Sequence, residues 1–179
     1  MPRGTLALLI TVVLLGDALC FEPVPSSACE DMESPPAGEE GWTRFDCAWY
    51  KFFNNEYVDW SEAAARCEKH GAKLVSIHSE KENIFVYDLA LQDGRMTDLE
   101  QIAWIGLYQN LYGLWFWTDG SLLHQLSYQN WEPIHHEPNN WGGSEHCGQM
   151  YNYKAYANGA HWNDFNCNSH MKGYICKYE

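Results

Sequence analysis

Three carboxylates and two carboxamides lie close together near the carboxyl end of the chain, in two short runs with one glutamate between them. They are Glu137, Asn139, Glu145, Asn163 and Asp164. Proteins bind Ca²⁺ through about 6–8 oxygen atoms of such groups, and Pro138 can hold a tight turn beside the first run. The same side chains have further oxygen and N–H₂ groups, which a sugar with two neighbouring hydroxyls can contact beside the metal. These residues favour a calcium-dependent sugar-binding site, with an acidic surface loop as the simpler alternative.

The amino end has the pattern of a secretory signal peptide, assigned to residues 1–20. An apolar stretch at residues 6–15 follows a basic residue, and small residues follow at Ala18 and Cys20. Because the stretch is too short to span a bilayer, the pattern predicts cleavage after Cys20 or Ala18 and export of the remaining chain. Residues 21–41 are rich in proline, serine and acidic residues, which predicts a flexible lead-in rather than a separate domain.

Six cysteines remain once the predicted signal peptide is removed. They are Cys29, Cys47, Cys67, Cys147, Cys167 and Cys176. An even number of cysteines in an exported chain predicts disulfide bonds, here three, although the sequence alone leaves their pairing open.

The charge excludes two classes of partner, and the aromatic content indicates what fills the core. A formal net charge of −13 argues against nucleic acid and against anionic membrane surfaces, both of which need Lys and Arg. Aromatic residues make up 15% of the chain and include nine Trp, enough to fill much of a core. Four of these Trp lie inside strand-like motifs and are predicted to be buried. They are Trp104, Trp117, Trp131 and Trp162.

The chain from residue 42 onward alternates short strand patterns with two helix patterns. The first helix is predicted to begin at Asp59 or Ser61 and to end at Gly71, and the second to begin at the capping box of residues 79–82 and to end at residues 93–94. Short strands are predicted at residues 48–53, 73–77, 103–107, 114–118, 147–150, 161–164 and 173–177. Two early helices among short strands predict an α+β domain.

Residues 121–144 lack regular patterning, and a segment of this length in a small domain tends to be functional or disordered. Trp131 and Trp141 within it argue against disorder. We therefore expect this long loop to be ordered, with a bound cation as the natural cause.

These motifs together resemble a C-type lectin-like domain over residues 42–178, so residues 42–179 are expected to form that domain. The landmarks in chain order are Trp42, Cys47-Ala48-Trp49-Tyr50, Cys67, Trp104-Ile105-Gly106-Leu107, Trp117-Thr118-Asp119-Gly120-Ser121, Asn130-Trp131, Glu137-Pro138-Asn139, Glu145-His146-Cys147, Trp162-Asn163-Asp164, Cys167 and Cys176. The resemblance implies two helices with short antiparallel sheets and a long calcium-binding loop. It also implies three disulfides: Cys67–Cys176, Cys147–Cys167 and, near the amino end, Cys29–Cys47.

The resemblance further implies how many calcium ions bind and through which residues. One Ca²⁺ would be held by Glu137, Asn139, Glu145, Asn163 and Asp164, with the backbone carbonyl of Asp164 as a sixth ligand and a cis peptide before Pro138. Members of the family use acidic residues for an auxiliary calcium ion. The corresponding residues here are Gln109, Tyr112, Asn140 and His146. Since none of these is a carboxylate, one ion is expected.

The sugar preference that the resemblance implies is of the mannose type. A Glu-Pro-Asn loop accompanies equatorial 3- and 4-hydroxyls in this family, as in mannose and N-acetylglucosamine and, by a related geometry, fucose, whereas Gln-Pro-Asp accompanies galactose. Trp141 stands where galactose-binding members often place an aromatic ring, so the signature is mixed. Because the loop sets the hydroxyl geometry, we expect mannose-type sugars, with Trp141 as a secondary contact.

Other classes of function have weaker support in the sequence. Asp164, Glu137 and His161 offer an acid–base set without an activated nucleophile, so an enzyme is not expected. The histidines match no structural zinc spacing. They include His135-His136, His146, His161 and His170. A domain of this fold that binds a protein or another non-sugar ligand is the main alternative. The sequence thus predicts a secreted binding protein for glycans on glycoproteins or on cell and microbial surfaces, without membrane insertion.

Overall fold

The computed structural model describes residues 34–36, 39–91, 103–150 and 160–179. Within these ranges the chain forms two helices and an eight-stranded sheet, which confirms the predicted α+β class. The helices are α1 (Trp60–Lys69) and α2 (Glu80–Leu91). The strands are β1 (Thr43–Phe45), β2 (Ala48–Val58), β3 (Lys73–Leu74), β4 (Ala103–Gln109), β5 (Trp115–Trp117), β6 (Cys147–Met150), β7 (Trp162–Phe165) and β8 (Met171–Tyr178).

Both helices begin where the sequence predicts, because a side chain caps the first turn of each. The Asp59 carboxylate accepts a backbone N–H (2.8 Å) at the start of α1, and the Ser79 hydroxyl accepts one (3.1 Å) at the start of α2. α1 stops before Gly71, whose φ of +68° suits glycine. The predicted end of the second helix, at residues 93–94, lies outside the described residues.

The strands form one sheet in the order β1-β2-β8-β4-β6-β7, with β3 added to β8 and β5 added to β4. The resemblance implied short antiparallel sheets, and most of the pairs are antiparallel. β4 and β8, however, run parallel, as the long chain between them allows. β6 and β7 therefore lie on one side of β4, while β2 and β8 lie on the other.

Five of the seven predicted strands have other lengths in the structure, among them β2 and β3. β2 continues to Val58 through an irregularity after Asn54. β3 ends at Leu74, because Val75 bonds to two different strands rather than to a regular ladder. Its N–H donates to Ile175 (2.9 Å) in β8, and its carbonyl accepts the N–H of Gly106 (2.8 Å) in β4.

The two helices cover opposite faces of the sheet. One buried apolar cluster contains side chains of α2 and Ile175 of β8, and a second cluster contains side chains of α1 with Tyr174 and Cys176 of β8. Successive side chains of a strand point to opposite faces, so these neighbours on β8 place α1 and α2 on different sides.

Two disulfides cross-link elements of this core. Cys67–Cys176 joins α1 to β8, and Cys147–Cys167 joins β6 to the turn before β8, which confirms two predicted pairs. With sequence separations of 109 and 20, the loop-entropy model gives about 4.7 and about 3 kcal/mol of stabilisation. Cys47 is disulfide-bonded as well, and its predicted partner Cys29 lies outside the described residues.

Three of the four Trp residues predicted to be core are fully buried, and the fourth, Trp131, is partly buried against them. The three are Trp104, Trp117 and Trp162. The predicted signal peptide and most of the lead-in lie outside the described ranges. Within those ranges, neither helix has the length and apolar character needed to cross a bilayer.

Candidate functional site

The start of β7 holds the long loop in place. The backbone N–H of Trp162 donates to Asn130 (2.7 Å), and its carbonyl accepts the N–H of Glu132 (2.9 Å). The Trp162 indole donates to Asn83 of α2 (2.7 Å), which anchors this contact in the core. The loop is therefore ordered by direct hydrogen bonds as well as by any ion that it binds.

Four of the five predicted calcium ligands line one open cavity of about 470 Å³. They are Glu137, Asn139, Glu145 and Asn163, and the predicted secondary contact Trp141 lines the same cavity. Glu137 and Asn139 come from the long loop, on either side of Pro138, which follows the cis peptide bond that the family resemblance implies. Asn163 comes from β7, so the fold joins the two runs that the sequence separates.

The fifth predicted ligand, Asp164, is buried beneath the loop. Its carboxylate accepts the backbone N–H groups of Asn139 (2.9 Å) and Asn140 (2.8 Å). Asp164 thereby supports the turn that presents Glu137 and Asn139 to the cavity. The backbone carbonyl of Asp164 accepts the side-chain N–H₂ of Asn163 (2.7 Å), which fixes that amide.

The remaining site residues are also held by hydrogen bonds within the loop. The Asn139 side-chain N–H₂ donates to the Glu137 carboxylate (2.8 Å), and the Trp141 backbone N–H donates to the Glu145 carboxylate (2.7 Å). The Asn140 side-chain oxygen accepts the Glu145 N–H (3.0 Å). Since both amide ligands donate through nitrogen, their side-chain oxygens remain available to a cation.

The carboxylate of Asp164 disfavours the charged forms of Glu137 and Glu145. Burial, the hydrogen bond with Asp164 and the charges of Asp164 and Glu145 raise the pKa of Glu137 to about 8. Burial and the charge of Asp164 raise the pKa of Glu145, although the Trp141 N–H lowers it. None of the ion pairs formed among the described residues includes any of the three. A cation between them would remove this repulsion.

The candidate ligand atoms of this site are all oxygens, the atom type that calcium prefers. In the described part of the chain, no three His, Cys, Asp or Glu residues are grouped so as to hold a metal ion by themselves. A calcium shell here would need the amide oxygens of Asn139 and Asn163 and the Asp164 carbonyl in addition to the carboxylates. All are oxygen ligands of the kind that Ca²⁺ takes in about 6–8 positions, and none is the sulfur or imidazole that zinc prefers.

A direct hydrogen bond joins two of the residues at the positions of the family's auxiliary calcium ion. The Gln109 side-chain oxygen lies 2.9 Å from His146 Nδ1, and the Gln109 backbone N–H donates to the His146 carbonyl (2.8 Å). Gln109 also donates from its side chain to Gly113 (3.1 Å) in the tight turn before β5. This contact ties the β4–β5 turn to the residue after Glu145.

The sequence analysis missed two residues of the cavity wall, His135 and Phe165. Phe165 ends the β7 strand that carries Asn163, so strand periodicity alone could have suggested it. In the sequence, His135 was weighed only as a zinc ligand. Its place in the wall depends on Glu132, a wholly buried carboxylate that lies 2.9 Å from His135 Nδ1. No local pattern predicts that contact.

Residues 56–178 match the family described as Lectin C-type domain. The mouse (Mus musculus) low affinity immunoglobulin epsilon Fc receptor is 33% identical over 77% of the chain, a match that spans 36% of the receptor. The galactose-specific lectin nattectin of Thalassophryne nattereri is 30% identical over 76% of the chain and 77% of its own length.

Solved structures have the same fold. The cow C-type carbohydrate-recognition domain of CD23, solved in the presence of a GlcNAc2Man3 oligosaccharide, superposes with a TM-score of 0.62 at 30% identity. The match covers 78% of this chain and 94% of that domain. These relatives are lectins and receptors, not enzymes.

Proposed function

The chain belongs to the C-type lectin family, whose members bind carbohydrates or other ligands, and on this premise we propose that it is a secreted, calcium-dependent lectin for mannose-type sugars. In this proposal residues 1–20 are a signal peptide, residues 21–41 a lead-in and residues 42–179 the lectin domain. One observation carries the proposal: carboxylates and amides from the long loop and from β7 line a single cavity.

Each residue has a defined part in the proposed site. Glu137, Asn139, Glu145 and Asn163 would each give a side-chain oxygen to one calcium ion, and Asp164 would give its carboxylate and its carbonyl. Bound calcium would supply a positive centre on which two neighbouring sugar hydroxyls complete the oxygen shell. The carboxylates would accept the hydroxyl protons and the amides would donate to the hydroxyl oxygens, which fixes the orientation of the sugar.

The order of donors and acceptors in the loop supports the mannose-type preference. Glu137 precedes Asn139 in the turn. The carboxylate acceptor and the amide donor therefore match a hydroxyl pair of one handedness and not a pair of the opposite handedness. The double substitution Glu137→Gln with Asn139→Asp reverses this order, and we expect it to shift retention from mannose columns to galactose columns. Unchanged retention on mannose would refute the role of the loop.

Galactose binding is the second candidate, and the exposure of Trp141 favours it. This side chain is 79% exposed at the cavity wall, where it can pack against the apolar face of a sugar. The galactose-specific relative nattectin belongs to the same family. A protein ligand is the remaining alternative, since another relative is an immunoglobulin Fc receptor by name.

A glycan array separates these candidates in one experiment. The secreted chain is applied with calcium and, in parallel, with a chelator that removes calcium. Signal on mannose, fucose or N-acetylglucosamine glycans that disappears with the chelator supports the proposal. Calcium-dependent signal on galactose glycans alone supports the second candidate, and no glycan signal under either condition overturns lectin function.

A further inference from the structure

We propose that His135 is a further sugar-contacting residue, whose imidazole Nε2 accepts a hydrogen bond from a hydroxyl outside the pair bound at the calcium site. This inference rests on the proposed function, because it concerns the same cavity. Two observations carry it: His135 lines the cavity wall, and a wholly buried carboxylate holds its ring there.

The buried carboxylate is that of Glu132, which has no solvent exposure (0%). One of its oxygens accepts the backbone N–H of Ile134 (2.8 Å). The other accepts the backbone N–H of His135 (2.7 Å) and lies 2.9 Å from His135 Nδ1. Burying a carboxylate is costly unless its lone pairs are satisfied, so this segment of the loop is built around Glu132.

The segment is also closed on itself and fixed to the sheet. The Glu132 carbonyl accepts the N–H of Glu137 (2.9 Å), and the Glu132 N–H donates to Trp162 of β7 (2.9 Å). His135 therefore sits in a short closed loop that ends at Glu137, a proposed calcium ligand. Its position relative to the site is set before any sugar arrives, which lowers the entropy cost of a contact.

One ring nitrogen of His135, Nδ1, contacts Glu132, and the other, Nε2, is available to a ligand. In neutral imidazole one nitrogen donates and the other accepts, and the partner of the first determines which. Because the Glu132 carboxylate can only accept, Nδ1–H is the donor of this contact, and in the neutral ring Nε2 is then an acceptor. The His135 side chain is 61% exposed although its partner is buried, so the ring reaches from the loop interior to solvent at the cavity.

The cavity has room for more than the two hydroxyls bound at the metal. Its volume of about 470 Å³ is in the range of small-ligand sites, roughly 300–1,000 Å³. Trp141 and Phe165 add aromatic surface to the same wall. Apart from the indole N–H of Trp141, which can only donate, the other polar side chains that line it are carboxylates and amides assigned to the metal, so His135 is the lining acceptor left for a further hydroxyl.

If His135 only supported the fold, its removal would change stability but not sugar affinity. The two backbone N–H groups already satisfy Glu132, so removing the ring would cost some stability in that case but would not change sugar affinity. A role in placing Glu137 would lower calcium affinity and sugar affinity together. Only a direct contact lowers sugar affinity while calcium affinity stays constant.

The experiment compares wild type, His135→Ala and His136→Asn by calorimetric titration with methyl α-mannoside and methyl β-galactoside in saturating calcium. His136 is the neighbouring exposed imidazole, does not line this cavity, and has a φ of +61° that Asn tolerates. Calcium affinity is titrated separately without sugar. His135→Gln, which keeps a side-chain donor for Glu132, replaces His135→Ala if the latter does not fold.

We expect His135→Ala to bind the sugar that wild type prefers about 3- to 10-fold more weakly, the effect of one lost hydrogen bond. Calcium affinity should remain unchanged, and His136→Asn should match wild type. In NMR spectra of the calcium-loaded protein, the His135 ring signals should shift when sugar is added.

Other results would overturn the inference in distinguishable ways. If wild type binds either sugar and the His135 variant binds it equally well, His135 is not a contact. An equal loss of calcium affinity would make it a positioning residue only. If wild type with calcium binds neither sugar, the proposed function itself fails for these probes, and the inference fails with it.

Discussion

Two groups of buried or partly buried carboxylates among the described residues differ in how their charges are balanced, and the lone buried Glu132 belongs to neither. In the first, here called the β8 cluster, Lys177 Nζ lies 2.8 Å from the Glu82 carboxylate and also pairs with Glu179. Glu82 further accepts the Tyr50 hydroxyl (2.7 Å) and the His78 N–H (2.7 Å). The carboxylate of Glu82 is therefore balanced by a cation and by donors of the protein itself.

The second group, here called the loop cluster, consists of Glu137, Glu145 and Asp164. Its carboxylates accept backbone N–H groups but take part in none of the ion pairs among the described residues. In the sheet order, β4 and β6 separate β8 from β7, which carries Asp164. The two clusters are thus separate in the sheet. The β8 cluster has a counter-ion from the protein, whereas the loop cluster has none among the described residues.

The contrast between the two clusters indicates which of them is a functional site. A buried charge with its own counter-ion contributes to the folded state and has no need of a ligand. Carboxylates such as Glu137 and Glu145, whose pKa is raised by burial and by the neighbouring charge of Asp164 without a counter-ion, cost stability, and such perturbed groups are concentrated at functional sites. The β8 cluster is therefore interpreted as structural and the loop cluster as a cation site.

The largest effect is expected from removing the cation of the β8 cluster. Lys177→Met leaves Glu82 buried and unpaired, so the free energy of unfolding should fall by about 3–5 kcal/mol. Urea denaturation in the presence of chelator measures this. Lys81→Met, on the exposed side of α2, is the matched control and should change stability by less than about 0.5 kcal/mol. Calcium affinity of the folded variant should equal that of wild type, and a large drop would show that the clusters are coupled.

The converse substitution in the loop cluster should affect calcium and not folding. Glu145→Gln removes a charged ligand but keeps an oxygen for the Trp141 N–H, so stability in chelator should change by less than about 1 kcal/mol. Calcium affinity, measured by titration calorimetry, should fall about 100-fold. Mutation of residues that only hydrogen-bond to a metal ligand already lowers metal affinity about 10- to 100-fold. Glu68→Gln, on the exposed side of α1, is the control. Wild-type calcium affinity in Glu145→Gln would contradict the assignment.

Calcium itself should stabilise the fold through the loop cluster alone. At a calcium concentration about 100 times the Kd, linkage predicts a gain of about 2.7 kcal/mol, seen as a higher Tm in thermal melts. Lys177→Met should show the same gain from a lower starting Tm, whereas Glu145→Gln, with a Kd about 100-fold higher, should gain only about 0.4 kcal/mol at that concentration. Equal gains in both variants would place the ion elsewhere.

Protons should compete with calcium at the loop cluster. Since the pKa of Glu137 is raised to about 8 in the calcium-free fold, its side chain is mostly protonated at pH 7 and must lose that proton to bind the ion. Calcium affinity should therefore rise about tenfold from pH 7 to pH 9.

The same shift predicts how the stability of the calcium-free protein depends on pH. The folded pKa of Glu137 exceeds its ordinary value, so its contribution to stability is complete below the ordinary value and is lost as pH rises through about 8.

Calcium titrations at pH 7 in buffers of different ionisation enthalpy should show about one proton released for each calcium ion bound. Glu137→Gln should remove this release, and a buffer-independent heat in wild type would contradict the prediction.

The sequence predicts the parts of these clusters that depend on neighbours in the chain. Glu82 is recognisable as the end of a capping box, and Glu137 with Asn139 as a pair around a proline. The bonds of Glu82 to Tyr50 and Lys177 join residues far apart in sequence, and no local pattern contains them. The same holds for Glu132 and its contact with Trp162.

The resemblance to a family supplied most of the long-range information. Spacing alone left the cysteine pairing open, and the family pattern chose Cys67–Cys176 and Cys147–Cys167, which the structure contains. It did not predict the parallel pairing of β4 with β8, nor the place of His135, because both depend on details of this chain. Calcium binding and sugar preference stay predictions for the experiments above.

The smallest effect is expected where the loop is tied to β4 without a metal. Gln109 bonds to His146 through its side chain and its backbone, beside Glu145, at positions where the family's auxiliary ion would lie. Gln109→Ala removes only the side-chain bonds, so the free energy of unfolding should fall by about 1 kcal/mol. Calcium affinity should fall less than threefold, and the stoichiometry should stay at one ion, because the β4–β5 turn supports the loop but supplies no ligand. Gln129→Ala, which removes a hydrogen bond to His124 elsewhere in the loop, is the control. A change to two bound ions in wild type at high calcium would mean that this bond opens to admit a second ion.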